Sequence, residues 1–536
     1  MQNTIMNRRL MFGSLLATLA MPALAAQDKQ APQLFEELWS PTRMGPQECR
    51  GAALQTSPLL LPRCMQADRT SVHLQMLNDI ALANGGNRAA GLPGYQRSLD
   101  YIQSTLESAG YTVTRQMFPF SAFYPQGPGL LETVAPTPGQ FEWEVDFTYL
   151  SQTDAGDVTA AAAAVDIALG AGNLSSSGCE AEDFVGFPAG AIALLQRGSC
   201  NFQIKAENAA AAGATGVIIF NQGDTEERKG LINATLGDAY AGGIPVLFAT
   251  YDLGVSLAQT ADVQVRMLTD VVRERTQTYN LIAESRRGNP DNVVMAGAHL
   301  DSVFEGAGIN DNGSGSAALL ELAVQMRKAK PQNKLRFAWW GAEESGLVGS
   351  TYYVEQLPAE QKTKIKAYLN FDMIASPNFG YFIYDGDGSS FGLQGPPGSA
   401  AVERLFEKYY RLRGLPFEGD EITFRSDYAQ FFTDGIAFGG LFTGAEELKT
   451  EEQAARYGGT AGVALDPCYH AACDDTNNID LRALEVNGDA MAFVTSWLAL
   501  STKVVDDEIA AAAAGQGLKR SVQAYDITHW GKHWIK

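Results

Sequence analysis

Five short segments of this 536-residue chain each close an apolar run, or follow one closely, with residues that bind metal. They are Ala298-His299-Leu300-Asp301, Asn310-Asp311-Asn312-Gly313, Ala342-Glu343-Glu344-Ser345, Asn370-Phe371-Asp372-Met373 and Cys468-Tyr469-His470. Three of the preceding runs read as buried strands: 292–298 before His299, 335–340 before Glu343, and 367–371 before Asp372. In an open α/β sheet, ligands bind beyond the carboxyl ends of the strands, so these three groups should converge. Asp311 comes from another direction. Gly313-Ser314-Gly315-Ser316 follows it and leads into helical spacing over 317–330, which places its carboxylate at a helix start on the same rim. Helix-like and strand-like patterns alternate from 281 to 498, the mark of an α/β fold with a mixed sheet between helices.

Zinc chemistry explains why these residue types occur together. Zinc takes N and O donors in near-tetrahedral geometry, and two ions about 3.5–4 Å apart need a shared anionic ligand. Asp311 suits the bridge, with His299 and Asp372 on one ion and Glu344 and His470 on the other. Asp301 would orient His299 through its second ring nitrogen. Neighbouring Glu343 and Glu344 point in different directions, so one binds metal and Glu343 is left to move protons. A lone H-x-D is usually an ordinary strand end, and a lone Glu-Glu pair is usually a solvated surface. However, the chain has only five histidines, His73, His299, His470, His529 and His533, and two of them fall in the order H-x-D, D, EE, D, H.

The rest of the chain sets the context. A length of 536 residues favours at least two domains. Between about 132 and 276 the texture changes to short β-branched runs with Gly and Ala, which implies an insertion. Residues 1–26 read as a signal peptide: Arg8 and Arg9, an apolar stretch over 10–24, and Ala23-Leu24-Ala25 as a cleavage site. The expected destination is periplasmic or extracellular, by a Sec or a twin-arginine route. No later run is long enough to span a membrane, and no stable membrane association is expected after signal removal. A formal charge of −21 argues against nucleic acid as a partner. Six cysteines fall as local pairs, Cys49 with Cys64, Cys179 with Cys200 and Cys468 with Cys473, which in an exported protein read as disulfides. Metal ligation by Cys468 and Cys473 is the alternative, although a zinc thiolate site of the structural kind closes with four ligands.

Residues 190–221, GAIALLQRGSCNFQIKAENAAAAGATGVIIFN, resemble the protease-associated domain. This resemblance implies a small β-rich fold at the rim of a catalytic cleft, gating substrate or purely structural. The segments AGAHLDSV, GINDNGSGSAALLELA, FAWWGAEESGLVGS, LNFDMIAS, FRSDYAQF, GGLFTGAE and DPCYHAACD resemble the secreted dinuclear zinc aminopeptidases of the aminopeptidase S and aminopeptidase Y type. The resemblance implies two zinc ions per chain, with His299, Asp311, Glu344, Asp372 and His470 as ligands and Glu343 as general base. It further implies that Tyr469 and Arg425 stabilise the tetrahedral intermediate or position the substrate. Peptides or proteins with a free N-terminus are the implied substrates. A large apolar first residue is preferred, with Met373, Phe379, Tyr381 and Phe442 as possible pocket residues.

The expected division is 1–26 signal, 27–131 first part of the peptidase domain, 132–276 insert, 277–502 main peptidase part and 503–536 C-terminal extension. Asp385-Gly386-Asp387-Gly388 reads as a turn. A glutamate-releasing carboxypeptidase and an inactive receptor-like binding protein of the same fold are the competing readings. A glutaminyl cyclase, with one zinc, would not need a bridging Asp311.

Overall fold

The structure is a computed structural model that describes residues 48–515 together with the pairs 529–530 and 534–535. The signal segment therefore lies outside the described residues. So does most of the tail, apart from a short antiparallel pairing of His529–Trp530 with Trp534–Ile535.

The main sheet has eight strands, in the order Thr112–Pro125, Val271–Glu284, Asn333–Trp340, Asn289–His299, Ile365–Phe371, Phe438–Phe442, Phe382–Tyr384 and Glu418–Asp420. Its four central strands, from 333–340 through 438–442, are parallel, and antiparallel pairings flank them on both sides. Register aligns His299 with Trp340 and Gly297 with Asn370, so the runs that precede the ligands end along one edge. Successive side chains of a strand face opposite sides. Val294, Ala296 and Ala298 accordingly enter one core, with the helices Ala67–Ala83, Pro93–Ala109, Gly315–Met326 and Leu481–Leu500. Val293 and Met295 enter a second core with Val354, Tyr368 and Phe431. Burial on both faces is why these strands read as continuous apolar runs rather than alternating ones. Each large apolar side chain fully buried here contributes about 1.5–3 kcal/mol.

Gly110, at φ 92°, ends the helix Pro93–Ala109 in the left-handed region that only glycine enters cheaply, and a long edge strand begins at Thr112. That strand, Thr112–Pro125, pairs with Val271–Glu284 over its whole length, and the chain between the two forms a second eight-stranded sheet. The centre of this sheet is parallel, Gly156–Ala164, Ile192–Gln196, Gly216–Phe220 and Val246–Ala249, with the helices Phe202–Ala211 and Tyr251–Gln259 packed on it. Within this segment Arg197 donates to Asn221 Oδ1 and Lys205 to the Ser177 carbonyl. All three local cysteine pairs form disulfides. Among the described residues no helix is long and apolar enough to cross a membrane.

Candidate metal centre

His299, Asp311, Glu343, Glu344, Asp372 and His470 meet at the carboxyl edge of the main sheet. The decisive contacts involve Asp311, which is 5% exposed. Its Oδ1 lies 3.1 Å from His299 Nε2 and its Oδ2 lies 3.1 Å from His470 Nε2. Asp372 Oδ1 is 3.2 Å from the same His299 nitrogen, and Glu344 Oε2 is 3.1 Å from His470 Nε2. Two donor sets thus share Asp311, and Glu343 approaches the His299 side at 4.0 Å. The fit to metal rests on more than proximity, because the buried oxygens Glu344 Oε1 and Asp372 Oδ1 accept no hydrogen bond. Buried carboxylate oxygens of this kind are costly unless a cation takes them.

The protonation equilibria reflect the crowding. Burial pushes the Glu343 carboxyl well above the usual range, with Glu344, Asp427 and Asp372 adding to the rise and His299 opposing it. Burial and then Asp311 raise Glu344 to about 7. Asp311 moves the other way: hydrogen bonds to His299 and His470 overcome its burial and hold it ionised.

Several residues around the ligands occupy the left-handed region without being glycine: Ala342 (φ 55°), Met373 (φ 45°), Phe424 (φ 60°) and His470 (φ 56°). Such conformations cost on the order of 1–3 kcal/mol each and persist only where the surroundings impose them. The surroundings are visible here. Asn312 accepts from the Gly315 and Met373 N–H groups and donates to the Phe371 carbonyl, locking the Asp311 segment to the Asp372 strand. A Cβ on Gly315 would lie 2.2 Å from that carbonyl, so no larger residue fits. Asp474 accepts the N–H groups of Asn310 and Asp311 at 2.8 and 2.9 Å. The disulfide Cys468–Cys473 brackets Tyr469 and His470.

Asp301 differs from its expected role. His299 Nδ1 faces the main-chain carbonyl of Asp301 at 3.1 Å, whereas the carboxylate, 3.8 Å away, accepts the N–H groups of Glu343 and Glu344 at 3.2 Å each. Asp301 orients the histidine through its backbone and the Glu-Glu turn through its side chain. Ser426 donates to Asp372 Oδ2 at 2.5 Å and accepts from Asn370. Arg88 is fully buried and donates to the carbonyls of Leu300, Ala307 and Gly308, in the loop that joins His299 to Asp311. Burial lowers its pKa to about 10 against the attraction of Asp301, Asp474, Asp311 and Glu344. It remains a cation beneath an acidic site. Arg88→Met leaves three carbonyls without donors, and we expect a loss of at least about 3 kcal/mol of stability, read from denaturant midpoints of the zinc-loaded protein.

Residues 280–495 match Peptidase family M28, and residues 158–257 match the PA domain. An aminopeptidase of Pseudomonas aeruginosa is 64% identical over 533 residues, 99% of both chains. The chain belongs to peptidase family M28. A probable leucine aminopeptidase 2 of Aspergillus fumigatus is 39% identical over 83% of this chain and 86% of its own length. A zinc aminopeptidase from Bacillus subtilis shares the fold at 23% identity, with a TM-score of 0.56 over 82% of this chain and 98% of its own. The protein is a peptide hydrolase of the zinc aminopeptidase kind.

In this M28 enzyme the metal centre opens into a cleft of about 710 Å³. Arg425 and Tyr469 line it. Arg425 is gripped by both oxygens of Glu446 at 3.0 Å, with Glu447 at 3.4 Å. Burial raises the Tyr469 hydroxyl well above its ordinary range, so it stays a donor. Met373 and Phe442 line the cleft, joined by Phe382, Tyr384 and Phe391. Phe379 and Tyr381 do not, because both are in the core, Tyr381 against Tyr410 and Tyr457 and Phe379 against Tyr381.

Proposed function

We propose that the enzyme is an exported two-zinc aminopeptidase that removes a large apolar N-terminal residue from peptides. The observation that carries this reading is the division of the Asp311 carboxylate between His299 and His470, one oxygen to each. His299 and Asp372 would hold one ion and Glu344 and His470 the other, with Asp311 between them. Zinc so held supplies Lewis acidity, polarising a carbonyl and lowering the pKa of water. Glu343 takes the proton from the attacking water and passes it to the departing amine, so the C–N bond breaks as a C–O bond forms. Tyr469 and Arg425 donate toward the developing oxyanion, and Glu446 fixes the guanidinium in place. The carboxylates of Glu343 and Asp372 receive the substrate ammonium. Met373, Phe442 and Phe391 accommodate the side chain, in keeping with the leucine aminopeptidase among the relatives. We also take residues 1–26 as the export signal, 132–276 as the inserted domain and 503–536 as a C-terminal extension.

N-acetylation of a leucyl peptide removes the ammonium and adds bulk where the chain should end. One charge-assisted contact is worth about 1.5–3 kcal/mol, so kcat/KM should fall by at least about two orders of magnitude. Equal rates for the free and acetylated peptides, or cleavage at internal bonds by mass analysis, would reject the aminopeptidase reading. Preference for a C-terminal glutamate would favour the carboxypeptidase alternative.

A further inference from the structure

Lys205 is a fully buried lysine on the helix Phe202–Ala211 of the PA domain. Its Nζ donates to the Ser177 carbonyl and lies 3.6 Å from Cys179 Sγ, one half of the disulfide with Cys200. Among the described residues no carboxylate stands at ion-pair distance from it. Burial lowers its amine to about 8, with Asp183 and Asp166 pulling the other way, so at neutral pH it is an ammonium ion held against a sulfur. A buried charge without a counter-ion is costly. The sulfur it touches becomes that counter-ion whenever the disulfide opens with Cys179 as the thiolate.

Access and electrostatics separate this disulfide from the other two. Cys49 and Cys64 are 2% and 0% exposed, out of reach of an external reagent. Cys473 is exposed, yet its pair is flanked by Asp466, Asp474 and Asp475, and negative neighbours oppose a thiolate. Cys179 and Cys200 are both half-buried, with the ammonium beside one sulfur. The chain on each side of the bond is fixed independently of it. Ser177 donates its hydroxyl to the Val165 carbonyl and accepts the Gln196 N–H, and Asn208 donates to the carbonyls of Gly178 and Cys179. Ser199 donates its N–H to the Ser175 carbonyl, against which Gly198 packs so closely that a Cβ would lie 1.9 Å away. Opening the bond therefore leaves Cys179 beside Lys205 and Cys200 within reach to close again.

We propose that Cys179–Cys200 is a reversible thiol-exchange site, at which an external low-molecular-weight thiol is captured on Cys200 while Cys179 departs as a thiolate paired with Lys205. The thiolate of the reagent attacks Cys200 Sγ, a new S–S bond forms there, and the electron pair of the old bond goes to Cys179 Sγ. One disulfide is exchanged for another, so no oxidant or reductant beyond the thiol is needed. A cation beside the departing sulfur lowers the pKa of that thiol, and a leaving thiol of lower pKa departs faster. Attack on Cys179 Sγ would instead place the charge on Cys200, one bond removed from the sulfur that the ammonium touches. The Cys179 thiolate resolves the mixed disulfide when the external thiol is withdrawn. The site lies on the inserted sheet, whereas the metal centre lies on the main one, so exchange leaves the zinc ligands in place.

The test exposes the full zinc-loaded chain to excess glutathione at neutral pH, quenches in acid, alkylates with N-ethylmaleimide and maps the cysteines by mass. We expect the Cys179–Cys200 pair to open first, with glutathione on Cys200 and the maleimide on Cys179. Lys205→Met should slow this opening at least about tenfold. Loss of a merely structural lysine would instead loosen the insert and speed the opening. The pH at which alkylation of the opened Cys179 is half-maximal should lie at least about one unit lower in the wild type than in Lys205→Met. Zinc content and turnover of a leucyl anilide report that the variant is folded. If Lys205→Met fails to fold, the order of opening and the sulfur that carries glutathione decide the matter in the wild type alone. Glutathione on Cys179, earlier opening of Cys468–Cys473, equal or faster opening in Lys205→Met, or an unchanged alkylation profile overturns the proposal.

Discussion

Glu343→Gln should leave zinc bound and depress kcat by about 10³-fold, because an amide cannot take a proton from water. Glu344→Gln should act differently. Glu344 lies 3.1 Å from His470 Nε2 and keeps a second, unpartnered buried oxygen, which is the position of a ligand. Glu343 stands farther back, at 4.0 Å from His299 Nε2, with its carboxyl pushed up by burial. Loss of Glu344's charge should therefore lower metal occupancy first, and activity as a consequence, with partial recovery in excess zinc. The experiment pairs metal analysis with kcat for each variant at saturating and limiting zinc. Asp301 makes the comparison clean, since it holds both residues by their main-chain N–H groups and neither substitution touches those bonds. If Glu343→Gln lost metal and Glu344→Gln kept it, the two roles would be exchanged.

The sequence revealed those parts of the site whose signal is local. The strands that end at His299, Trp340 and Phe371 are buried on both faces, so each reads as an apolar run, and the ligand stands where the run stops. The Asp311 segment was legible because a glycine-rich turn precedes a helix. The supporting groups gave no local signal. Arg88 lies in a Gly-Gly-Asn-Arg stretch that looks like an ordinary loop, and its acceptors are more than 200 residues away. Asp474 reaches Asn310 and Asp311 across more than 160 residues. Ser426 is adjacent to Arg425, yet its contact with Asp372 depends on how two distant loops meet at the sheet edge. Phe379 and Tyr381 show the converse failure. An aromatic residue after a strand reads the same whether it faces a cleft or a core, and both of these face the core.

Removal of zinc should abolish activity, and the two ions should not leave together. His299 is 1% exposed in its side chain, and its nitrogen is enclosed by Asp311, Asp372 and Glu343. His470 is 22% exposed, on a loop bracketed by a disulfide rather than on a strand. Ligands on a central strand move less than ligands on a surface loop, so the ion on the His470 side should dissociate first and exchange faster. A chelator titration followed by metal analysis should show two zinc ions per chain at the start and a plateau near one. His470→Ala should retain a single zinc, while His299→Ala should disturb both sites through the shared Asp311. Stability should fall in the same order, because zinc bound only by the folded chain stabilises it by mass action. Without it, the buried oxygens Glu344 Oε1 and Asp372 Oδ1 accept no hydrogen bond, at a cost of about 1–3 kcal/mol each. Acid should have a similar effect, since the ligands must be deprotonated to bind metal. An enzyme fully active with no metal would refute the whole assignment, and simultaneous loss of both ions would refute the asymmetry.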